Sequence, residues 1–406
     1  MLLCLNIRRS LLRVHPGVAL LCLCALSACA SHDLPEARNA FYQGNYQQAE
    51  KAIGAGVVEG TDSVLVLMER GTILQAKGEY AKSSINFIRA NDLLKTLETY
   101  SLSEGAGSWV ANDTVYSYEG PAFEQTLLHS MTALNHLALG NWEDGGVEAR
   151  RILLSLKEEQ RGQEYPDDAF SRYLTAFILE MNDDDSNARM QFQLANTLLA
   201  DIEIDEQGRI RQNNSREQTA AEMEQHELVC FFLIGRSPTM REVRKEGDSS
   251  FLSPQIKLFA GGKLLGNATI LTNVYSLARI TWNLDAPTRI AKMAARIAAK
   301  EAIAVAIEKK DAALGALTRI ILIGMLEDPD LRRWETLPHW LAVAKVPCPA
   351  NLTSFDVTIQ GGENITGYTL TVQQPVVRRG NVYFSFVRDL PGFNSIKIKK
   401  EIDKGR

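Results

Sequence analysis

The chain has 406 residues, of which 45% are hydrophobic and 23% are charged, and its net charge is −5. This length is enough for two or three domains with sizeable hydrophobic cores. The mildly acidic balance argues against nucleic acid as a partner, because proteins that bind nucleic acids carry basic patches that neutralise phosphates.

The N-terminus has the successive parts of a secretory signal peptide. Residues 1–17 carry three arginines and no acidic residue, and an apolar run follows at 18–26. The run is much shorter than the roughly 20 apolar residues that a membrane-spanning helix needs. We therefore predict that residues 1–28 form a signal peptide that is cleaved before Cys29.

Cys29 ends a Leu-Ser-Ala-Cys tetrapeptide that resembles the lipobox of bacterial lipoproteins. The cysteine of a lipobox is alkylated with diacylglycerol, and two or three acyl chains are enough for stable anchoring. An ordinary cleaved signal with a chance cysteine is the alternative. Ala30 is not the aspartate that resembles an inner-membrane retention signal. We therefore expect a tether at 29–33 and a location on the periplasmic face of the outer membrane.

Residues 34–200 contain a glycine or aspartate at repeated intervals, a pattern that predicts helical hairpins. Gly44 and Gly78 lie 34 residues apart, Gly140 opens a third copy, and Asp183 opens a degenerate fourth. The pattern resembles the tetratricopeptide repeat, in which the glycine permits the positive φ that ends the first helix. An unrelated helical bundle with a coincidental period is the alternative. The signature residues are Gly44, Tyr46, Ala49, Gly71, Gly78, Tyr80, Ser83, Phe87, Ala90, Gly140 and Trp142.

A segment at 101–120 interrupts these repeats with glycines, an Asn-Asp dipeptide and alternating valine and tyrosine, which predicts a loop or a short hairpin. Insertions into helical repeats often rise from the binding face. Trp109, Tyr116 and Tyr118 are therefore candidate partner contacts. The alternative is that these aromatic side chains pack the hairpin onto the repeats.

Arg150 and Arg151 are a second pair of candidate partner contacts. A guanidinium on a repeat helix can hold a partner's carboxylate through two parallel hydrogen bonds. The alternative is an ion pair within the chain, with Glu124 or Glu148.

The second half of the chain contains strand and hairpin patterns in place of the helical repeats. Residues 201–227 are polar and charged and predict a linker or an exposed helix. Leu228–Ile234 predicts a fully buried strand, and Gly261-Gly262 predicts a hairpin turn. Residues 289–310 predict an Ala-rich amphipathic helix. Four alternating segments then predict a small antiparallel sheet, at 340–346, 354–359, 367–374 and 381–387.

These elements together predict an α+β fold. A helical-repeat solenoid of tetratricopeptide type at 34–200 is followed by a mixed α/β domain at 228–406, which ends in the small antiparallel sheet. Two cysteines remain in the second domain, Cys230 and Cys348. In an oxidising periplasm they could form a disulfide, or they could be two small buried side chains, and both alternatives stay open.

Several motifs resemble an uncharacterised family of bacterial lipoproteins whose N-terminal halves are similar to tetratricopeptide repeats. The resemblance implies a fold and a location in the cell envelope, and it implies no activity. The motifs are Tyr118-x-Gly120-x-x-x-Glu124, Ala133-Leu134-Asn135 with Ala138-Leu139-Gly140, Val147-Glu148-Ala149-Arg150-Arg151, Gly235-x-x-Pro238 after the Leu228 strand, and Asp330-Leu331-Arg332-x-Trp334-x-x-Leu337-Pro338.

The sequence contains no familiar catalytic motif, whether of zinc proteases, serine hydrolases or phosphate-binding loops. His129 and His136 share one helical face, but two histidines without a third ligand make a poor zinc site. We therefore expect no enzyme, cofactor or metal.

The function that we expect is that of a lipid-anchored periplasmic scaffold or adaptor. Its repeats would bind another envelope protein or peptide in a concave groove. Two alternatives remain: an activator or assembly factor for cell-wall or surface-structure synthesis, and an enzyme with a site in 228–406.

Overall fold

The computed structural model describes residues 33–103, 117–159, 167–212, 226–244, 252–317, 330–362, 364–373 and 377–389. The described residues form a mixed α/β structure, with 54% helix, 23% strand and a curled sheet of eight strands. The predicted signal peptide and Cys29 lie outside the described residues.

Between residues 33 and 197 the described chain forms four helix–turn–helix pairs. The helices are α1 (Leu34–Tyr42), α2 (Tyr46–Ile53), α3 (Ser63–Ala76), α4 (Tyr80–Ser103), α5 (Ala122–Ala138), α6 (Trp142–Glu159), α7 (Ala169–Met181) and α8 (Asp185–Thr197). The turn residues Gly44, Gly78 and Gly140 have φ values of 71°, 81° and 75°, and Asp183 in the fourth turn has φ 62°. The predicted left-handed turns are therefore confirmed.

Small residues let the helices of a pair approach closely. Ala49 and Ser83 are fully buried, as the repeat pattern predicts. The Ser83 hydroxyl donates a hydrogen bond to the Gly71 carbonyl at 2.7 Å, and it accepts one from the Asn135 side chain at 2.9 Å. One buried serine thus links α3 to α4 within a pair and also links α4 to α5 of the next pair.

Residues 202–212 form a short antiparallel hairpin where the sequence predicts a linker or an exposed helix. Its strands are β1 (Ile202–Ile204) and β2 (Ile210–Gln212). Tyr173 of α7 donates a hydrogen bond to the Gly208 carbonyl at 2.5 Å. The Asn196 side chain accepts one from the Ile204 backbone N–H at 2.7 Å. These two bonds fasten the hairpin to the last helix pair.

Eight further strands form one sheet. They are β3 (His226–Ile234), β4 (Leu252–Ala260), β5 (Lys263–Asn273), β6 (Trp340–Cys348), β7 (Ser354–Gly362), β8 (Asn364–Gln373), β9 (Val377–Arg379) and β10 (Val382–Asp389). The order is β8-β7-β4-β5-β6-β3-β10-β9, with β10 parallel to β3 and the other pairs antiparallel. The prediction of a small antiparallel sheet is therefore wrong, because its four segments join one larger mixed sheet.

The predicted buried strand at Leu228–Ile234 is confirmed as the main part of β3. Its side chains alternate between two hydrophobic cores. Val229, Phe231 and Leu233 belong to the core on the helical side of the sheet. The core on the other side contains Leu228, Cys230, Phe232 and Ile234. The predicted hairpin turn is also confirmed, since Gly261 and Gly262 both have positive φ between β4 and β5.

In the described part of the chain the sheet is accompanied by α9 (Met240–Arg244), α10 (Val274–Leu284) and α11 (Ala286–Glu308), and residues 312–317 are also helical. The helix α11 corresponds to the predicted Ala-rich helix. None of the described helices is both long enough and apolar enough to cross a membrane.

An aromatic core joins the helices to the sheet. Phe177 of α7 stacks on Phe384 of β10 at 6.0 Å between ring centroids, and Trp142 of α6 meets the same ring edge-on at 6.0 Å. Phe170 contacts Phe231 of β3 at 5.6 Å. The hydrophobic core is therefore continuous across the predicted boundary between 34–200 and 228–406.

The register of β3 and β6 settles the arrangement of the two cysteines. Cys230 lies opposite Ala344, whereas Cys348 lies opposite His226. Four residues along a strand correspond to roughly 13 Å, and a disulfide needs Cα atoms within about 7 Å. Both thiols are instead buried in the core on the outer side of the sheet.

Candidate functional site

The segment at 330–339, which precedes β6, lies along the first helices of three pairs. Tyr42 of α1 donates a hydrogen bond at 2.7 Å to the carbonyl of the residue after Trp334. The Trp334 indole N–H donates to the Thr72 hydroxyl of α3 at 2.9 Å. The Trp334 backbone N–H donates to Glu124 of α5 at 3.3 Å. The segment thus contacts the first helix of each of three pairs.

Trp334 is the main apolar anchor of this segment. Its side chain is fully buried, and its ring lies 5.6 Å from the ring of Phe87 in α4. The indole N–H also contacts the Thr336 hydroxyl at 3.1 Å. A tryptophan buried with its N–H satisfied combines a large apolar area with a directional hydrogen bond, so it fixes both the depth and the register of the segment.

Glu124 is the centre of a buried charged cluster. Its Oε2 accepts a hydrogen bond from the Tyr118 hydroxyl at 2.5 Å, and its Oε1 lies 3.6 Å from Nε of Arg333. Burial raises the pKa of Glu124 to about 7, although the Arg333 charge and the Tyr118 hydrogen bond act in the opposite direction. This carboxyl therefore titrates in the neutral range.

Gly120 explains the spacing of the motif that contains Tyr118 and Glu124. It has φ 72°, and a Cβ there would lie 3.3 Å from Oε2 of Glu124. A side chain would strain the backbone and crowd the carboxylate. The motif therefore encodes a tight turn around one hydrogen bond, and that turn meets the second motif at Trp334.

Arg333 is buried to the same degree as Glu124. Its guanidinium lies over the Phe123 ring at 5.4 Å from the centroid. Within the described residues none of its nitrogens has a hydrogen-bond partner, and burial lowers its pKa. Because a buried charge without hydrogen bonds is expensive, the nearby carboxylate is its principal compensation.

A second ion pair joins α1 and α3 to the same segment. Arg38 binds Glu69 at 2.7 Å, and it lies 3.2 Å from Glu335. Its guanidinium also donates to the Arg333 carbonyl at 2.6 Å. Glu69 is fully buried and accepts a hydrogen bond from the Glu335 backbone N–H at 3.0 Å. These contacts tie the first helix pair to residues 333–335.

Arg388 of β10 holds the end of the segment against the sheet. It donates to the carbonyls of Leu233 and Gly235 at 2.9 and 2.8 Å, and to the Thr336 carbonyl at 3.1 Å. His339 follows, with its ring stacked on Trp340 at 4.5 Å. Burial lowers the pKa of His339 to about 4, and nearby arginines add to the effect.

The chemical capacity of the cluster depends on its burial. A carboxyl with a pKa near 7 beside a tyrosine and an arginine has the composition of an acid–base site. However, Tyr118, Glu124 and Arg333 are all almost completely buried, and Tyr118 and Arg333 both lie beside Glu124. In this conformation the cluster fastens residues 330–339 to the helices. No group of three His, Cys, Asp or Glu residues in the described part of the chain could hold a metal ion.

The aromatic residues predicted as partner contacts have different outcomes. Tyr118 is buried, and its backbone N–H donates to the Thr61 carbonyl at 2.7 Å, so its prediction as a surface contact is wrong. Its side chain is needed inside the charged cluster. Trp109 and Tyr116 lie outside the described residues.

The predicted arginine pair lies on α6. Arg151 forms an ion pair with Glu148 at 2.5 Å, and Glu148 also contacts Nδ1 of His129 at 2.8 Å. The alternative of a pair within the chain therefore holds for Arg151. Arg150 is exposed on the same helix.

The repeat-signature residues occupy turns and helix contacts and have a structural role. Gly71 is a clear case, because a Cβ there would lie 2.2 Å from the Phe87 ring. Phe87 and Ala90 are fully buried, and Trp142 and Tyr80 contact aromatic rings of β10.

Sequence reasoning missed Glu69, Arg333, Arg38 and His339. A signal for Glu69 existed, because it is a charged residue within the otherwise apolar first turns of α3. A charge in the centre of an apolar helix usually has a buried partner. Its charged partner is Arg38, 31 residues earlier, and its other partner, the Glu335 backbone N–H, lies 266 residues later, so neither contact is revealed by the local pattern.

No protein-family model, no curated protein and no solved structure matches this chain. The resemblance to a lipoprotein family therefore stays a prediction that rests on the motifs alone.

Proposed function

We propose that this chain is a lipid-anchored adaptor of the bacterial envelope that binds another envelope protein. The lipobox at Cys29 supports anchoring at the periplasmic face of the outer membrane. The helix pairs, with a left-handed residue at each turn, support an assignment to tetratricopeptide-like repeats. Such repeats commonly serve as binding scaffolds.

The observation that carries the proposal is an exposed face on the second helices α4 and α6. Residues 330–339 contact the first helices α1, α3 and α5, which leaves the second helices as the surface that we favour for a partner. Each of the two second helices exposes a pair of large apolar side chains with an arginine between them, spaced to share one helical face. This outer face comprises Ile85, Arg89 and Leu93 in α4, and Val147, Arg150 and Leu154 in α6.

The chemistry of the outer face indicates the kind of partner. Apolar side chains favour contact with another apolar surface, and a guanidinium can bind a carboxylate through two hydrogen bonds. We therefore expect a helix or peptide of an envelope protein that carries both apolar and acidic side chains. The acyl tether would raise the effective concentration of such a partner near the membrane without any added contact.

The test is a pull-down from detergent-solubilised envelope with the mature protein and two variants. In the first variant Arg150→Glu and Leu154→Asp change the outer face. In the matched control, Leu264→Asp changes an exposed leucine in the hairpin of β4 and β5. A protein that the wild type and the control recover, and that the double variant loses, supports the proposal. Equal recovery by all three proteins would exclude the outer face as the binding surface.

A further inference from the structure

The helix α11 has few contacts with the rest of the described protein. From Pro287 to Ala298 each residue whose burial is described is exposed or half-buried. Its 23 residues correspond to roughly 34 Å. Seven of the eighteen large apolar side chains exposed in the described residues lie between 286 and 317. The exposed apolar side chains of the described protein are therefore concentrated in this segment, whereas singly scattered ones are normal.

The exposed apolar side chains at the start of α11 form one row. Ile290, Met293 and Ile297 are 61%, 43% and 55% exposed. Their spacing of three and four residues puts them on one face of the helix. An apolar row of this kind, left in water, is a surface that favours an apolar environment.

A row of basic residues runs beside the apolar row. Arginine or lysine occupies positions 289, 292, 296 and 300, and no acidic residue occurs between 286 and 300. At 3.6 residues per turn these four positions fall within about 80° of the helix circumference, next to the apolar row. Arg289 also lies over the Trp282 ring at 3.4 Å, and tryptophan is a side chain favoured at membrane interfaces.

We propose that α11 lies on the surface of a bilayer that contains anionic lipids. Its basic row would contact lipid phosphates, and its apolar row would enter the boundary between headgroups and acyl chains. Basic residues at every third or fourth position make insertion across the bilayer costly, so the helix lies parallel to the surface.

Charge complementarity favours this occupant. The whole chain carries a net charge of −5, whereas α11 carries four basic residues, all before position 301, and two acidic ones, Glu301 and Glu308, for a net charge of +2. An anionic bilayer therefore attracts this helix more than the rest of the protein. A second copy bound through the same face would bring two basic rows together, and like charges oppose such a symmetric contact.

The test is flotation of the full chain with vesicles, in a Cys29→Ala background that removes acylation. Vesicles of phosphatidylethanolamine and phosphatidylglycerol are compared with vesicles of phosphatidylcholine alone. We expect the chain to float with the anionic vesicles. The variant I290S/M293S/I297S, which removes the apolar row of α11, should float less with the anionic vesicles than the parent chain does. K292Q/R296Q should bind roughly twenty-fivefold more weakly, from about fivefold for each of the two lost cations.

The matched control is V57S/L264S, which changes two exposed apolar residues outside both α11 and the outer face and should float like the parent chain. Circular dichroism establishes that each variant is folded. Flotation that is equal for the parent and both α11 variants, or equal on anionic and zwitterionic vesicles, would overturn the proposal. So would a monomeric I290S/M293S/I297S beside a dimeric parent in sedimentation, because a second copy would then cover α11. None of these results bears on the outer face.

Discussion

Oε1 of Glu124 lies 3.6 Å from Nε of Arg333, and the two side chains are 0% and 1% exposed. The two residues are 209 positions apart and belong to the helical part and to the segment before β6. Burial disfavours the charged form of Glu124 more than the Arg333 charge favours it. The pair therefore makes the contact between the two halves sensitive to the protonation of one carboxyl.

The pKa of Glu124 predicts how stability depends on pH. Burial raises this pKa from 4.5 to about 7 in the folded protein. Between these pH values the folded state binds more protons than the unfolded state, so stability falls as pH rises through the window. The contribution of Glu124 amounts to about 3 kcal/mol in all, at 1.36 kcal/mol for each pKa unit. Glu124→Gln should remove this fall, as measured by urea unfolding from pH 4.5 to 8.

The control for this prediction is Glu143→Gln, which changes an exposed carboxyl on α6. Its stability curve should run parallel to that of the wild type. The free energy of unfolding of Glu124→Gln should instead rise relative to that of the wild type as pH rises. Two parallel curves for Glu124→Gln would mean that Glu124 titrates in the folded protein as it does in water.

Trp334 predicts a large effect on stability. Trp334→Ala would empty a fully buried site and should cost about 3–5 kcal/mol of the free energy of unfolding. Trp334→Phe keeps most of the apolar volume and loses the donor to Thr72 and Thr336, so we expect a loss of about 1–3 kcal/mol. Chemical denaturation measures both values. A loss below 1 kcal/mol for Trp334→Ala would show that the segment before β6 does not anchor the fold.

Local patterns predicted the local features of this fold. The repeated glycines predicted left-handed turns at Gly44, Gly78 and Gly140, because few residue types other than glycine adopt a positive φ. The continuous apolar run predicted β3 as a strand buried on both faces. These signals depend on residues within one element or one turn, so they are visible in the sequence.

Long-range pairing was not visible in the same way. Alternation identified the last strands but could not show that β10 pairs in parallel with β3, about 150 residues earlier. The motifs around Tyr118 and Trp334 were recognised separately. Their meeting at Glu124 depends on packing of residues 330–339 against the first helices, which no local pattern encodes.

Gly71 predicts a steric effect within the second helix pair. In Gly71→Ala the new Cβ would lie 2.2 Å from the Phe87 ring, which is fully buried and has little room to move. We expect a loss of about 1–3 kcal/mol from overpacking. Gly56→Ala is the matched control, because no atom lies within 4 Å of the added Cβ. Thermal melting should separate the two variants by several degrees, and equal melting temperatures would refute the close packing of α3 on α4.

The lipobox predicts that one atom, the sulfur of Cys29, holds the protein to the membrane. Cys29→Ala should abolish the incorporation of labelled palmitate, because no thiol remains to initiate acylation. The mature body should then move from the membrane fraction to the soluble fraction of the periplasm, unless α11 retains part of it on anionic lipid. Washing with high salt separates these two contributions, since salt weakens electrostatic attachment but leaves acyl chains inserted. Cys230→Ala is the control and should keep both the label and the membrane location. Labelling that persists in Cys29→Ala would refute the assignment as a lipoprotein.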